Sequence, residues 1–187
     1  MHKQNDFGTG SVKRLILSQA LPLTVAQTVQ LLYNIVDRIY IGHLEGVGDL
    51  ALTGLGITFP VIVLIAAFTN LYGSGGATLF SIARGRGDTD EAESIIGTVF
   101  TLLVSTSLIL FVFCYLFRRP ILFLFGASEQ SIFYADQYLS IYLFGTAFSM
   151  LTTGLNGYIN AQGFPRIGML TTVLGAVINV ILDPIFI

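Results

Sequence analysis

The sequence predicts an all-α bundle of helices that crosses a membrane several times. Three observations carry that expectation. Hydrophobic residues make up 53% of the 187 and charged residues only 11%, against about 25% charged in an ordinary soluble domain. The apolar residues gather into five long runs, at 15–42, 50–80, 94–117, 133–158 and 167–187. Each run reaches the roughly 20 residues that an α-helix needs to cross about 30 Å of hydrocarbon.

The first run follows Lys13 and Arg14. It is too long for the apolar core of a signal peptide, and no small-x-small cleavage site closes it, so it reads as a retained first span. "HLEGVGD" (43–49) is a short polar turn. The second run contains "GSGGAT" (73–78). It lacks the Lys-Ser/Thr that ends a phosphate-binding loop, and small residues in a span allow close helix contact instead. "RGRGDTDEAE" (84–93) is the most charged stretch, and Asp88 followed by Glu91 forms a capping-box-like start for the third span.

That span holds Cys114, the single cysteine. One thiol excludes an internal disulfide and fits inert packing. "RRPILFLFGASEQ" (118–130) has an apolar centre behind Arg118, Arg119 and Pro120. It is too short to cross and suits the membrane interface. "AQGFPR" (161–166) is a Gly/Pro turn before the fifth run. The fifth run stops at "NVILDPIFI" with no polar exit, as though the sequence were cut at the outer end of that span.

Charge sets orientation and excludes some functions. The net charge of −2 offers no basic field for nucleic acid. With the N-terminus inside, Lys3, Lys13, Arg14, Arg84, Arg86 and Arg166 are cytoplasmic, while Arg118 and Arg119 fall outside. Six against two favours a cytoplasmic N-terminus. "RGD" (86–88) then lies in the cytoplasm, where an adhesion tripeptide has no use. "GVGD" (46–49) matches the letters of intramembrane aspartyl proteases. Its aspartate is expected in a loop before the second span, and the paired tyrosine-aspartate partner is missing, so no catalytic residues are assigned and the chain is not read as an enzyme.

Polar residues inside the spans form stripes. At about 100° per residue, Gln27, Gln30, Asn34 and Asp37 fall within one quadrant of the first span, with Arg38 beside them. Such a face is costly in lipid and should turn to protein or a water-filled cavity. In the fourth span Tyr138, Tyr142, Gly145, Ser149, Thr152, Asn156 and Asn160 follow one face. In the fifth, Thr172, Gly175, Asn179 and Asp183 do the same. Asn179 and Asp183 are one turn apart and can meet one small cation or proton. Pro184 frees a backbone carbonyl near position 180 as a further oxygen. Interhelical hydrogen bonding accounts for Gln, Asn, Ser and Thr. It accounts less well for Asp37 and Asp183, because an intramembrane carboxylate is expensive and usually functional.

The pieces "LPLTVAQTVQLLYNIVDRIYIGHL", "ARGRGDTDEAE", "FGAS", "GYINAQGFPRIGM" and "NVILDPIFI", in that order and over nearly the whole chain, resemble the multidrug and toxic compound extrusion (MATE) family of cation-coupled antiporters. The resemblance implies a twelve-helix transporter of two six-helix lobes. The chain then corresponds to the first five helices of the N-terminal lobe, truncated before the sixth, with the second lobe absent. It also implies that Asp37, Asn179 and Asp183 handle the coupling ion, as H⁺ or as Na⁺ bound at those three residues. Gln30, Asn156 and Tyr138 resemble residues lining the first-lobe cavity, and Asn34 lies on the same stripe.

The implied function is secondary active efflux of organic cations and amphipathic drugs by H⁺ or Na⁺ antiport, in a multi-pass protein of the cell membrane. The implied partners are those small molecules, membrane lipid and the missing lobe. No cofactor is expected beyond the coupling ion. H⁺ ranks ahead of Na⁺, since Na⁺ needs several oxygens around one point and Arg38, if turned toward Asp37, would repel it. Two other readings remain. A flippase of related fold would move lipid-linked precursors, but phosphate calls for cavity arginines and lysines. A truncated scaffold would not transport at all.

Overall fold

A computed structural model describes the chain from Ser11 to Phe186, with side chains as far as Ile181. All regular structure among the described residues is helical. The elements are α1 (Val12–Gly42), α2 (Gly48–Arg86), α3 (Thr89–Leu116), the short α4 (Arg118–Leu124), α5 (Ile132–Ala161) and α6 (Pro165–Phe186). Four of them, α1, α2, α3 and α5, are long and apolar enough to cross a membrane. Helix α6 is apolar from Pro165 to Ile181.

Several helices run past the apolar runs that predict them, as α3 does by starting at Thr89. Helix α2 outlasts its apolar run and continues through Arg84 and Arg86. Cations in a last turn complement the negative end of the helix dipole, so the charges extend the helix instead of stopping it. Asp49, expected in a loop, lies in the first turn of α2. The same dipole argument applies there with the opposite sign.

The chain divides into two compact units. One is Gly42–Leu155, and the other joins the segment up to Ile41 to the segment from Asn156 onward. In the first of these, three helix ends are closed by local sequence. Gly87, at φ 78°, ends α2. Its N–H donates to the Arg84 carbonyl at 3.0 Å, and the Asp88 N–H donates to that of Ala83 at 3.0 Å. That left-handed position suits Gly because a Cβ would crowd the backbone. One residue later Asp88 starts α3, with Oδ1 accepting from the Glu91 N–H at 2.9 Å. The capping reading of Asp88 is therefore met on its acceptor half. Before α5, Ser128 and Ser131 cap each other: each backbone N–H donates to the other's Oγ, at 3.0 and 3.2 Å.

The helices of this unit pack through small residues. A Cβ on Gly73 of α2 would lie 2.9 Å from Gly154 Cα and 2.9 Å from the Gly154 carbonyl oxygen on α5. A Cβ on Gly154 would lie 2.8 Å from Leu103 Cδ1 of α3. The glycine-rich stretch of the second span thus provides close helix contact. Around it Leu103, Leu139, Leu143, Met150 and Cys114 are buried. Four buried hydroxyls stay within their own helices. Thr58 donates to the Leu55 carbonyl, Thr69 to that of Ile65, Ser107 to that of Val104 and Thr146 to that of Tyr142. Leu71, Leu79, Ile109 and Phe148 are exposed, which suits lipid as the surrounding solvent.

The two glycines should respond differently to one added methyl. In Gly73→Ala the obstacle is backbone, whereas in Gly154→Ala it is the movable end of a leucine. Overpacking costs about 1–3 kcal/mol. Thermal unfolding of the purified protein should show Gly73→Ala at the upper end of that range and Gly154→Ala below it. Equal losses would show that the α2–α5 contact is not rigid.

Candidate functional site

The second unit gathers most of the polar residues singled out from the sequence. Gln30, Asn34 and Asp37 lie on α1, Asn156 on the end of α5, and Asn179 on α6; Tyr138 belongs to the other unit. Asp183 and Pro184 lie in the last turns of α6, and their side chains are outside the described residues.

The hairpin that joins α5 to α6 is fixed by local sequence. Gly163, at φ 87°, turns the chain. Its N–H donates to the Asn160 carbonyl at 2.9 Å, and the Phe164 N–H donates to that of Ile159 at 3.2 Å. These two bonds satisfy carbonyls that a helix end would otherwise leave open. Pro165 then opens α6, where its missing N–H costs nothing and its fixed φ suits the first helical position.

Just inside this turn the polar side chains interlock. Asn156 Nδ2 donates to the Gly168 carbonyl at 3.2 Å and to Thr171 Oγ1 at 2.9 Å. Asn160 Nδ2 donates to Asn156 Oδ1 at 3.2 Å. Thr171 and Thr172 both donate to the Gly168 carbonyl, at 2.8 and 3.2 Å. Gly168 makes the approach possible: a Cβ there would sit 2.5 Å from Asn160 Oδ1 and 2.9 Å from Asn156 Oδ1. Asn156, read from the sequence as cavity-lining, therefore has both amide hydrogens and its oxygen engaged with α5 and α6. Gly168 and Thr171 escaped the sequence reading. Their only signal was a small and a hydroxyl residue at the start of a span, which is common in membrane helices.

Asn34 is exposed and its Nδ2 donates to the Gln30 carbonyl of its own helix at 2.8 Å. Gln30 and Asp37 are half-buried, and Arg38 is exposed. Tyr138 and Tyr142 stack at 6.2 Å with their rings 20° apart. Asn179 is half-buried, and its Oδ1 is buried without a hydrogen-bond partner. Asn160 Oδ1 and Gln19 Nε2 share that condition. Among the described residues no group of three or more His, Cys, Asp or Glu forms a metal site. A cation held here would depend on amide and carbonyl oxygens as well as carboxylates, which suits hard ions. Pro22, absent from the sequence reading, lies buried inside α1. It has no N–H to give the Ser18 carbonyl one turn back.

Comparisons with known proteins agree with this architecture. A sequence model of the MatE family matches residues 22–185. The multidrug export protein MepA of Staphylococcus haemolyticus is 29% identical over 182 residues, covering 97% of this chain and 40% of that protein. The chain thus spans about two fifths of the length of the curated relatives it matches. A MATE transporter crystallised in complex with MaD3S superposes with a TM-score of 0.88 at 26% identity, over 95% of this chain and 39% of that one. A MOP superfamily transporter from Pyrococcus furiosus, described as having a binding pocket of reversed polarity, superposes at 0.86 with 25% identity, over 95% and 38%.

The asparagine interlock gives a testable coupling. Gly168→Ala should destabilise the protein by about 1–3 kcal/mol. Adding Asn160→Ala removes the nearer of the two oxygens that the new methyl strikes, so the double variant should lose less than the sum of the two single losses. Unfolding midpoints of the four proteins in one detergent measure this. Strict additivity would contradict the contact.

Proposed function

The chain belongs to the MatE family, and from that premise we propose that it forms the N-terminal lobe of a membrane antiporter. This transporter exports organic cations and amphipathic drugs in exchange for inward H⁺ or Na⁺. One observation carries the ion-coupling reading. Asn179 places an oxygen inside the protein with no donor facing it, on an apolar helix and one turn before Asp183. A bare acceptor is costly in that setting, and so is a carboxylate one turn along the same apolar helix. A proton shared with the carboxylate, or a small cation, removes the cost.

The mechanism follows from that cost. Burial in a low dielectric disfavours the charged form of a carboxylate. Asp37 on α1 and Asp183 on α6 are the groups whose charge a bound ion would cancel. Ion binding then favours one packing of the lobe over another, and the cargo needs only to prefer the opposite state for the two to exchange. H⁺ stands ahead of Na⁺ because one carboxylate suffices for a proton, and because Arg38, next to Asp37, adds a positive charge nearby. Pro22 gives α1 a place to bend without breaking an N–H bond. Lys13 and Arg14 at the start of α1, Arg84 and Arg86 at the end of α2, and Arg166 at the start of α6 support a cytoplasmic N-terminus.

The Pyrococcus relative's reversed pocket polarity makes the sign of the lining a guide to cargo. Asp37 and Asp183 against Arg38 alone favour a cationic drug over a lipid-linked pyrophosphate, which would call for arginine or lysine. The MepA relatives are multidrug export proteins by name, in line with that choice.

The assay is drug resistance conferred by the protein as its gene encodes it. Asp37→Asn and Asp183→Asn should each reduce resistance to background at unchanged abundance in the membrane. Efflux of a fluorescent cation from vesicles should follow a pH gradient without Na⁺. Wild-type resistance in both variants would remove the assigned coupling site. Efflux that follows only a Na⁺ gradient at fixed pH would reverse the choice of ion.

A further inference from the structure

Arg118 and Arg119 oppose the distribution of charge in the rest of the chain, and the structure shows what each does. Arg118 is tied down. Its Nε donates to Asp136 Oδ1 at 2.6 Å and its Nη1 to the Tyr115 carbonyl at 2.9 Å. The guanidinium also lies 4.6 Å from the centroid of the Tyr115 ring. Asp136, on α5, is only 16% exposed, and Arg118 is 29% exposed.

Arg119 is different. Its Nε reaches Asp136 Oδ2 at 3.4 Å, and its side chain is 70% exposed. Among the described residues Asp136 is the one carboxylate paired with either arginine. Two guanidinium groups share one carboxylate, so a single positive charge is left over. A guanidinium has five N–H donors, and Nε is the one that reaches Asp136.

The surplus charge sits at an apolar rim. Phe113, Leu116 and Phe117 precede it, and Leu124 and Phe133 follow it; all are exposed, Leu116 at 70% and Leu124 at 81%. Exposed apolar side chains at the end of a spanning helix suit contact with hydrocarbon. Where they give way to Arg118 and Arg119, the chain reaches headgroup level. A partner for this place must combine a negative charge with long apolar chains.

We propose that Arg119 binds the phosphate of an anionic phospholipid, whose acyl chains lie along Leu116 and Leu124. Asp136 holds Arg118 as the fixed wall of the site and orients Arg119 weakly, leaving its outer donors for the phosphate. An anionic headgroup cancels the leftover charge, whereas a zwitterionic one brings a cation of its own.

The test uses the protein as its gene encodes it, in nanodiscs of phosphatidylcholine with rising phosphatidylglycerol. The unfolding midpoint and the bound phosphatidylglycerol counted by native mass spectrometry are the readouts. The wild type should gain stability as phosphatidylglycerol rises. Arg119→Gln should need about fivefold more of it for equal occupancy, and Arg119→Lys should keep most of the response. Arg86→Gln, which removes an exposed charge from the other end of a helix hairpin, should match the wild type. The proposal is overturned if the wild type does not respond, if Arg119→Gln responds as the wild type does, or if Arg86→Gln loses as much. It is also overturned if Arg119→Cys cross-links two copies, since a protein neighbour would then occupy the place.

Discussion

A polar atom inside hydrocarbon has no water to fall back on, and the rest of this structure is arranged around that constraint. An unsatisfied polar group there costs several kcal/mol, by the order of magnitude for transfer to an apolar medium. The chain meets the constraint at each scale. Most hydroxyls in the spans return to their own backbone, as Thr69 does to the Ile65 carbonyl and Thr152 to that of Phe148, while Thr106 of α3 donates to the Tyr72 hydroxyl of α2. Helix ends are closed at Gly87 and Gly163 by the turns that follow them. Asn156 and Asn160 bind one another and the start of α6. Arg118 is held by a carboxylate, a carbonyl and an aromatic face together. Three buried polar atoms lack a partner among the described residues, Gln19 Nε2, Asn160 Oδ1 and Asn179 Oδ1, and of these Asn179 lies one helix turn before the one carboxylate of α6.

Much of this was legible in the sequence, for a physical reason. The membrane sets a length, so apolar runs of about 20 residues predict spans, and the 3.6-residue period predicts which residues share a face. The caps were legible because they are local: Asp88 and Glu91 are three residues apart, and Gly163 and Pro165 flank one turn. The all-α class and the position of Asn156, Asn160 and Asn179 on polar faces followed from those two rules.

Contacts between distant positions were not legible. Asp136 gave no sign of pairing with Arg118, eighteen residues earlier, because nothing in either local pattern names a partner on another helix. Gly168 looked like any small residue in a span until the asparagine oxygens were seen against it. Periodicity also said that Asn156 shares a face with other polar residues, but not that its amide is already committed to α6. A stripe identifies the side of a helix; only packing separates the residues that hold the bundle from those left for a ligand.

That separation is the centre of the functional account. Asn156, Asn160 and Thr171 brace the hairpin, and Asp37, Asn179 and Asp183 are assigned to the ion. Infrared difference spectroscopy of the protein as its gene encodes it reads carboxyl protonation directly. Lowering the pH, or adding Na⁺, should change the carboxyl bands; cargo should reverse the change; and Asp37→Asn and Asp183→Asn should each remove part of it. Bands that persist unchanged in both variants would contradict the assignment of the coupling ion to these carboxylates.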